Sequence, residues 1–332
     1  MKADQGTAAP TTEALAAWAR ELGFGACGVA SLEQSRYGDA LDQWLQAGYA
    51  GTMRYLHRQA HRRKEPASIV PGARVAVVVL ENYLPAERLP GTGGRGQGGS
   101  VKVAKYGRGT DYHRALKARL ELLAAWLCEQ GATIAHPWTD SGPVPERELA
   151  QRAGLGWIGK NTMLIRPGSG SFCFIGTVFT DLPLEPSPAA DLDRCGSCTR
   201  CLDACPTEAF VEARVLDATR CISYLTIESG LPIPDSLADR LEGWAFGCDI
   251  CNDICPWNVR FAEPSGRPEY QDRGAIGSDD PDFFEQMTPA EFAARFGDTP
   301  LERSGLPGMR RNWRAAFRSR RSGHRWAGGA RA

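Results

Sequence analysis

The sequence predicts a layered α/β domain, then a small cysteine-dense domain, then a short, arginine-rich helical tail. Three observations predict it. Helix and strand patterns alternate as far as Phe179. Eight of the eleven cysteines fall between Cys195 and Cys255. After Glu302 no acidic residue occurs, while nine arginines follow: Arg303, Arg310, Arg311, Arg314, Arg318, Arg320, Arg321, Arg325 and Arg331.

The elements justify themselves in order. Thr12 to Gly23 carries Leu15, Ala16, Trp18, Ala19 and Leu22 at helical spacing, with Thr11 or Thr12 available as a cap. A short strand, Gly25 to Ala30, and a second helix, Leu32 to Ala47, come next. Arg74 to Leu80 is a near-continuous β-branched run, as expected of a strand buried on both faces. Glu87 to Ser100 is glycine-rich and reads as a loop. Asp111 to Gln130 is a long amphipathic helix stopped by Gly131. Ala132 to His136 and Phe172 to Phe179 read as strands, and Glu146 to Arg152 as a short helix between them. Prolines cluster from Pro183 to Pro188 and mark a boundary. Thr288 to Phe296 has a capped-helix pattern. The division is therefore 1–182, 183–262 and 263–332.

With 332 residues, 42% hydrophobic and 23% charged, the chain has material for a substantial core. No apolar run approaches the ~20 residues that span a bilayer, and the N-terminus offers no apolar signal core. A cytoplasmic protein without a membrane partner is expected. Basic and acidic residues balance at 39 each. Setting the nine C-terminal arginines aside leaves 30 basic residues against 39 acidic. The tail is then a cationic arm on an acidic body, suited to RNA, or else a solvated terminus.

Eleven cysteines in a chain without a secretory signal point to metal rather than disulfides. Cys27, Cys128 and Cys173 lie apart in apolar surroundings and read as core residues. The rest form two motifs. Cys195-x2-Cys198-x2-Cys201-x3-Cys205-Pro206 is the bacterial ferredoxin run in full, and Cys221 with Cys248-x2-Cys251-x3-Cys255-Pro256 is a second, split copy. Three thiolates at this spacing reach three irons of one 4Fe–4S cubane, and the fourth cysteine ligates the other cluster. The crossed sets are Cys195, Cys198, Cys201 and Cys255 on one cluster, and Cys205, Cys221, Cys248 and Cys251 on the second. A pair of zinc sites is the alternative, but zinc needs neither the third step of the run nor the Cys-Pro ending. Two clusters in tandem relay single electrons, so the upstream domain is expected to hold an acceptor.

The richest upstream stretch is Asp140 to Asn161. Asp140 stands at a strand end before a Gly-Pro turn, a place to present a carboxyl group in a pocket or merely to cap a turn. Gly154, Gly156 and Gly159 allow close approach of a large ligand. They do not form the dinucleotide fingerprint, because they follow a helix instead of opening one.

The stretches Asp140–Asn161, Arg220–Glu228, Gly247–Cys251 with Cys255–Asn258, Tyr106–His113 and Asn82–Pro85 together resemble epoxyqueuosine reductase, over roughly residues 12 to 300. The resemblance implies reduction of epoxyqueuosine to queuosine at the wobble position of tRNA, with cobalamin (cob(II)alamin) reduced through the two clusters. It implies Asp140 as proton donor and Arg63 as a cobalamin contact. Lys160, Leu164, Ile175, Ser223, Cys248 and Asp249 fall in segments expected to line the cobalamin pocket. Burial in an apolar site would suit a carboxylic acid to deliver that proton. The implied partner is a tRNA anticodon stem-loop, with an electron donor left unidentified and a monomeric enzyme expected. Family members often end in helical-repeat material that helps grip the tRNA stem; here an arginine- and glycine-rich tail follows Gly305, so either the tail replaces that grip or the binding surface is reduced. A cobalamin-dependent reductive dehalogenase is the rival enzyme, and a plain ferredoxin-like electron carrier the rival from another class. A carrier would show clusters and no cobalt signal after loading with cobalamin.

Overall fold

Thr11 caps the first helix by accepting a hydrogen bond from the Ala14 amide at 3.2 Å, and α1 (Thr12–Glu21) then buries Leu15 and Ala19. The computed structural model describes residues 10–86, 101–189, 193–274, 276 and 280–321. The glycine-rich stretch Glu87–Ser100, and with it Arg325 and Arg331, lies outside them. Along the chain follow β1 (Ala26–Ser31), α2 (Gly38–Gln46), the short α3 (Arg54–Arg58) and α4 (Ala60–Lys64), and β2 (Val75–Asn82). Next come β3 (Lys102–Val103), α5 (Tyr112–Glu129), β4 (Ala135–Trp138), α6 (Glu146–Arg152), β5 (Trp157–Ile158), β6 (Leu164–Ile165) and β7 (Cys173–Thr180).

β1, β2, β7 and β4 form one four-stranded sheet in that spatial order, antiparallel throughout. β2 is one of its two inner strands. Val75, Val77 and Val79 join the core beneath α1 and α5, while Ala76, Val78 and Leu80 join the core beneath α6. The unbroken apolar run is thus buried on both faces, as its composition requires, even though the pairing is antiparallel.

The second helix is shorter than its apolar pattern suggests. Residues 33 to 36 are taken by α6 instead: Glu148 accepts from the Ser35 hydroxyl and the Arg36 amide, and Arg152 donates to the Glu33 and Gln34 carbonyls at 2.7 Å each. Glu148 and Arg152 are themselves a buried pair at 2.6 Å, and backbone groups tied to it cannot join a helix. Cys27 and Cys173 are part-buried against the two cores, but Cys128 faces solvent on α5 and is no core residue.

The cysteine region runs α7 (Arg200–Asp203), the hairpin β8 (Phe210–Glu212) and β9 (Val215–Leu216), a π-helical turn Tyr224–Glu228, and α8 (Asp235–Ala238). β10 (Trp244–Phe246), α9 (Ile250–Asp253) and α10 (Pro256–Phe261) complete it. Beyond it, α11 (Pro289–Phe296) opens with a full capping box between Thr288 and Glu291.

The last 17 described residues correct the expectation of a solvated cationic arm. They are a single helix, α12 (Gly305–Arg321). Leu306, Met309, Trp313 and Ala316 bury into a separate core with Phe246, Phe284, Phe292 and Phe296. β3 pairs in parallel with β10 and contributes Val103 to the same core, beside Val101, so the C-terminal region packs on both preceding parts.

Candidate active site and cluster centres

The two cysteine motifs fold alike. In each, a Cys-x-x-Cys turn runs into a four-residue helix, α7 or α9, and then into a Cys-Pro step, and the two helices lie against each other. Cys195, Cys198, Cys201 and Cys255 line one cavity of about 160 Å³. Burial, reinforced by Cys255, Cys195 and Cys198 in that order, pushes the Cys201 thiol up to about 11. Cys251 is raised by burial and by Cys221, Cys201 and Cys205, while Cys248 is raised by burial and by Cys251 and Cys221. Cys195, Cys198, Cys201 and Cys255 thus share one cavity, while Cys251 feels Cys221, Cys201 and Cys205.

Donors point at the sulfurs. The Trp157 indole donates to Cys195 Sγ at 3.5 Å and the Ala209 amide to Cys205 Sγ at 3.4 Å. Backbone amides of Ser223 and Tyr224 reach Cys221, and those of Trp257 and Asn258 reach Cys255. Such hydrogen bonds hold thiolates and tune an iron–sulfur cluster. Among the described residues no three His, Cys, Asp or Glu side chains close in tightly enough to share one ion.

A buried amide network bolts this region to the α/β domain. Asn258 Oδ1 accepts from the Ser171 amide at 2.6 Å, and its Nδ2 donates to Ser171 Oγ and the Asn252 carbonyl, both at 2.8 Å. Asn161 reaches Asn252 and the Cys251 carbonyl. Gly170 must be glycine here. Its φ of 84° lies in the left-handed region, and a Cβ would sit 2.0 Å from Asn258 Oδ1.

The second centre is Asp140. It sits at φ 46° between Thr139, whose hydroxyl bonds the Ile175 carbonyl at 3.3 Å, and Gly142, where a Cβ would strike the Trp138 ring at 2.5 Å. The Asp140 amide donates to Glu146 Oε1 at 2.6 Å, and the Tyr112 hydroxyl donates to Asp140 Oδ2 at 2.5 Å. His113 Nε2 lies 3.9 Å from the same oxygen, and its Nδ1 meets Asp111 at 2.8 Å. Burial works against the imidazolium, but the Asp111 hydrogen bond and charge raise the His113 pKa overall. The Tyr112 ring is locked by stacking on Phe174 and His113, each at 4.1 Å.

The Asp140 carboxyl serves a tyrosine hydroxyl. It is not buried: its side chain is 65% exposed, against the expectation of an apolar site. The displaced acid is its neighbour, for burial and the Asp140 charge push Glu146 up to about 8.

Arg63 fixes the loop, donating to the Gly142 and Val144 carbonyls at 3.2 Å each, and its buried Nε has no partner among the described residues. Tyr55 is raised by burial and by Glu228 and Asp140, with Arg303 and Arg63 opposing, so these four charges act on its hydroxyl across the space near Asp140. Tyr106 is raised by burial and then by Asp140, Asp249 and Glu228, and its ring packs against Tyr112 and Phe246. A polar cavity of about 460 Å³, lined by Glu228, Ser229, Gly230, Arg303 and Arg311, adjoins this space. An orphaned buried donor, tyrosine rings and a roomy polar annex fit a large amphipathic cofactor carrying many amide groups.

The expected pocket residues divide. Arg63 and Ile175 gather at Asp140. Cys248 and Asp249 stand at the second cysteine set, Asp249 buried and accepting from the Lys105 amide at 2.8 Å, and Ser223 lies beside Cys221. Lys160 lines the first cysteine cavity instead, donating to the Gly196 and Cys198 carbonyls at 2.6 and 3.1 Å, and Leu164 pairs within the β5–β6 hairpin. Sequence reasoning missed Tyr112, Glu146 and Arg303. Tyr112 and Glu146 left a signal, through their places in the Tyr106–His113 and Asp140–Asn161 stretches.

Two family models match. One, described as "4Fe-4S double cluster binding domain", covers residues 194–258 and so includes all eight cysteines. The other, "Epoxyqueuosine reductase QueG, DUF1730", covers residues 63–141 and so runs from Arg63 past Asp140. The epoxyqueuosine reductase of Pseudomonas aeruginosa is 40% identical over 297 residues, covering 89% of this chain and 81% of that protein. That of Cyclobacterium marinum is 39% identical over 298 residues, covering 89% and 93%. Among solved structures, an epoxyqueuosine reductase with an epoxyqueuosine-modified tRNA-Tyr stem loop superposes with a TM-score of 0.81 at 27% identity, covering 94% of this chain and 82% of that one. The epoxyqueuosine reductase of Streptococcus thermophilus gives 0.80 at 26% identity, covering 91% and 80%.

Proposed function

The chain belongs to the epoxyqueuosine reductase family, and from that membership we propose how its own residues divide the reaction. It is an oxidoreductase that binds tRNA and reduces epoxyqueuosine to queuosine, with two 4Fe–4S clusters and cobalamin as cofactors. Converting an epoxide to an alkene takes two electrons and two protons, and the oxygen leaves as water. When bound, cobalamin supplies low-valent cobalt as the reductant at carbon.

In our reading the chain's residues do the rest. Cys195, Cys198, Cys201 and Cys255 hold the outer cluster, and Cys205, Cys221, Cys248 and Cys251 the cluster nearer Tyr106. Lys160 and Leu164 support the outer cluster's loop, while Arg63, Ile175, Ser223, Cys248 and Asp249 border the cofactor's space. Asp140 gives a proton to the departing oxygen. The Tyr112 hydroxyl occupies Oδ2 and leaves Oδ1 as the oxygen that carries the proton. Glu146 and Arg63 hold the loop's amide and carbonyls, which fixes the direction of delivery.

One observation carries this: the Tyr106 ring lies 6.1 Å from the Tyr112 ring, whose hydroxyl bonds Asp140, and packs on the same apolar cluster as Cys221 and Cys248. Electrons and the proton can therefore meet at one substrate carbon–oxygen bond. The test is product analysis. Reduced, cobalamin-loaded protein given an anticodon stem-loop bearing epoxyqueuosine at the wobble position should yield a product lighter by one oxygen in mass spectrometry. Intact clusters and bound cobalamin with no such loss would refute the assignment.

The working division is a cobalamin-binding α/β part over 1–182, a two-cluster part over 183–262, and a helical part over 263–332. The last is not self-standing, because its core includes Val103 and Phe246. We take the enzyme as a monomer served by a separate electron donor, acting in the cytoplasm where tRNA is modified. Consistent with this, no described helix is long and apolar enough to cross a membrane.

A further inference from the structure

The stretch from Arg54 to Lys64 reads RYLHRQAHRRK, with no acidic residue in it. It folds as α3 and α4, separated at Gln59. Arg54 and Arg58 are exposed and Arg62 is part-buried. None of the three makes an ion pair or side-chain hydrogen bond among the described residues. That distinguishes them from the arginines of the C-terminal region. Arg303 pairs with Glu228, Arg314 with Glu285, and Arg318 with Asp235 and Asp239, while Arg310 and Arg311 are spent on backbone carbonyls. A guanidinium already neutralised or desolvated has little left for a phosphate.

The location is as telling as the charge. Arg63 at the end of α4 grips the Asp140 loop through the Gly142 and Val144 carbonyls, and Tyr55 on α3 feels the Asp140, Glu228 and Arg303 charges. The Thr52 amide and hydroxyl, just before α3, both bond the Tyr224 hydroxyl, at 2.8 and 3.0 Å. The helix pair is therefore a braced lip of the reaction cleft. Arg147, exposed on α6 next to the loop, extends the same basic rim.

We propose that α3 and α4 form the surface that holds the sugar–phosphate backbone of the tRNA stem, through Arg54, Arg58 and Arg62. The proposal rests on the tRNA reading above and says which face of the cleft receives the stem. Phosphate contacts position a nucleic acid without reading its sequence. A base flipped toward Asp140 needs its flanking backbone held at the cleft's edge.

The experiment uses the full holoprotein and compares Arg54→Gln/Arg58→Gln/Arg62→Gln with Arg314→Gln/Arg318→Gln. Affinity for the anticodon stem-loop is measured between about 50 and 200 mM salt. The α3–α4 variant should bind at least about tenfold more weakly at the low-salt end, and its log–log salt slope should fall by roughly two. Its cluster absorption should be unchanged, and KM should rise while kcat at saturating RNA is kept. The α12 variant should keep the wild-type slope. An α3–α4 variant with wild-type affinity and slope would overturn the surface. Turnover is read separately: a wild-type protein that binds RNA through these arginines yet leaves the epoxide intact would refute the reductase reading and leave the surface standing.

Discussion

Between Cys195 and Cys255 the cysteines crowd one another, four of them around one cavity, whereas from Arg303 to Arg318 the arginines turn away from one another, each to a different carbonyl or carboxylate. Both regions are runs of one residue type, and both stand out in the sequence. They differ in what fixes the partner. A thiolate bound for a cubane must meet three others at set spacing, so the motif itself carries the geometry. An arginine accepts any carbonyl or carboxylate that the fold brings near as its partner, and around α12 the fold supplies enough of them to cancel the charge. Count alone therefore reads a metal site well and a binding surface badly.

The cysteines are where this contrast breaks most visibly. Wild-type protein should carry about eight irons with matching sulfide. Cys201→Ala and Cys205→Ala should each lose one cluster's share and abolish turnover, with different electron paramagnetic resonance signals surviving in the two. Loss of the same signal from both would refute the crossed sets, and zinc without acid-labile sulfide would remove the relay altogether.

Asp140 offers the next largest effect. Asp140→Asn keeps a group that can accept from Tyr112 but cannot deliver a proton, and general acid catalysis is worth ~10²–10⁴ in rate. The variant should fold, hold both clusters and bind cobalamin, while single-turnover epoxide reduction falls at least a hundredfold. Near-normal turnover would leave Asp140 as scaffolding for the loop.

Legibility in the sequence follows the same line. β2 was legible because a run such as Val75–Leu80 can hide only between two covered faces. The capping box at Thr288 and Glu291 was legible because its four residues suffice to define it. Leu32–Ala47 was not, since the Glu148–Arg152 pair that unwinds its first turn comes from more than 100 residues away. At the site, Asp140 and the cysteines sit in dense local motifs. Arg303 acts through a distant partner, Glu228, and nothing in its immediate neighbours announces it. The basic run on α3 and α4 was in plain view but was outweighed by the longer arginine run that follows Glu302.

The C-terminal helix sharpens the contrast through stability. Trp313 is 1% exposed, packs among Phe283, Phe284 and Phe317, and donates its indole N–H to the Asp280 carbonyl at 2.9 Å. Trp313→Ala should cost about 3–5 kcal/mol in denaturant titration. Arg314→Ala, which breaks only an exposed pair with Glu285, should cost at most about 1 kcal/mol. Removal of the chain from Arg310 onward should therefore unfold this core before it tests any contact with RNA. Equal, small effects from Trp313→Ala and Arg314→Ala would mean that α12 is the solvated arm its composition suggests.

The last effect concerns Glu146, a carboxyl group whose state is decided by the fold. Burial and the Asp140 carboxylate raise its pKa to about 8, against the pull of Arg147 and Arg63, from an ordinary value of 4.5. The folded protein then keeps this proton over a range in which the unfolded chain has released it. Unfolding releases a proton across that range, so stability falls as pH rises from about 4.5 to about 8. The slope from this single group is at most about 1.4 kcal/mol per pH unit. Glu146→Gln is the probe, because its side-chain carbonyl can still accept from the Asp140 amide and it does not titrate. Urea titrations at about pH 5 and pH 8 should show the variant gaining on wild type at the higher pH. A constant difference between the two proteins would mean that Glu146 is already ionised in the fold, leaving Asp140 with a charged neighbour at its amide.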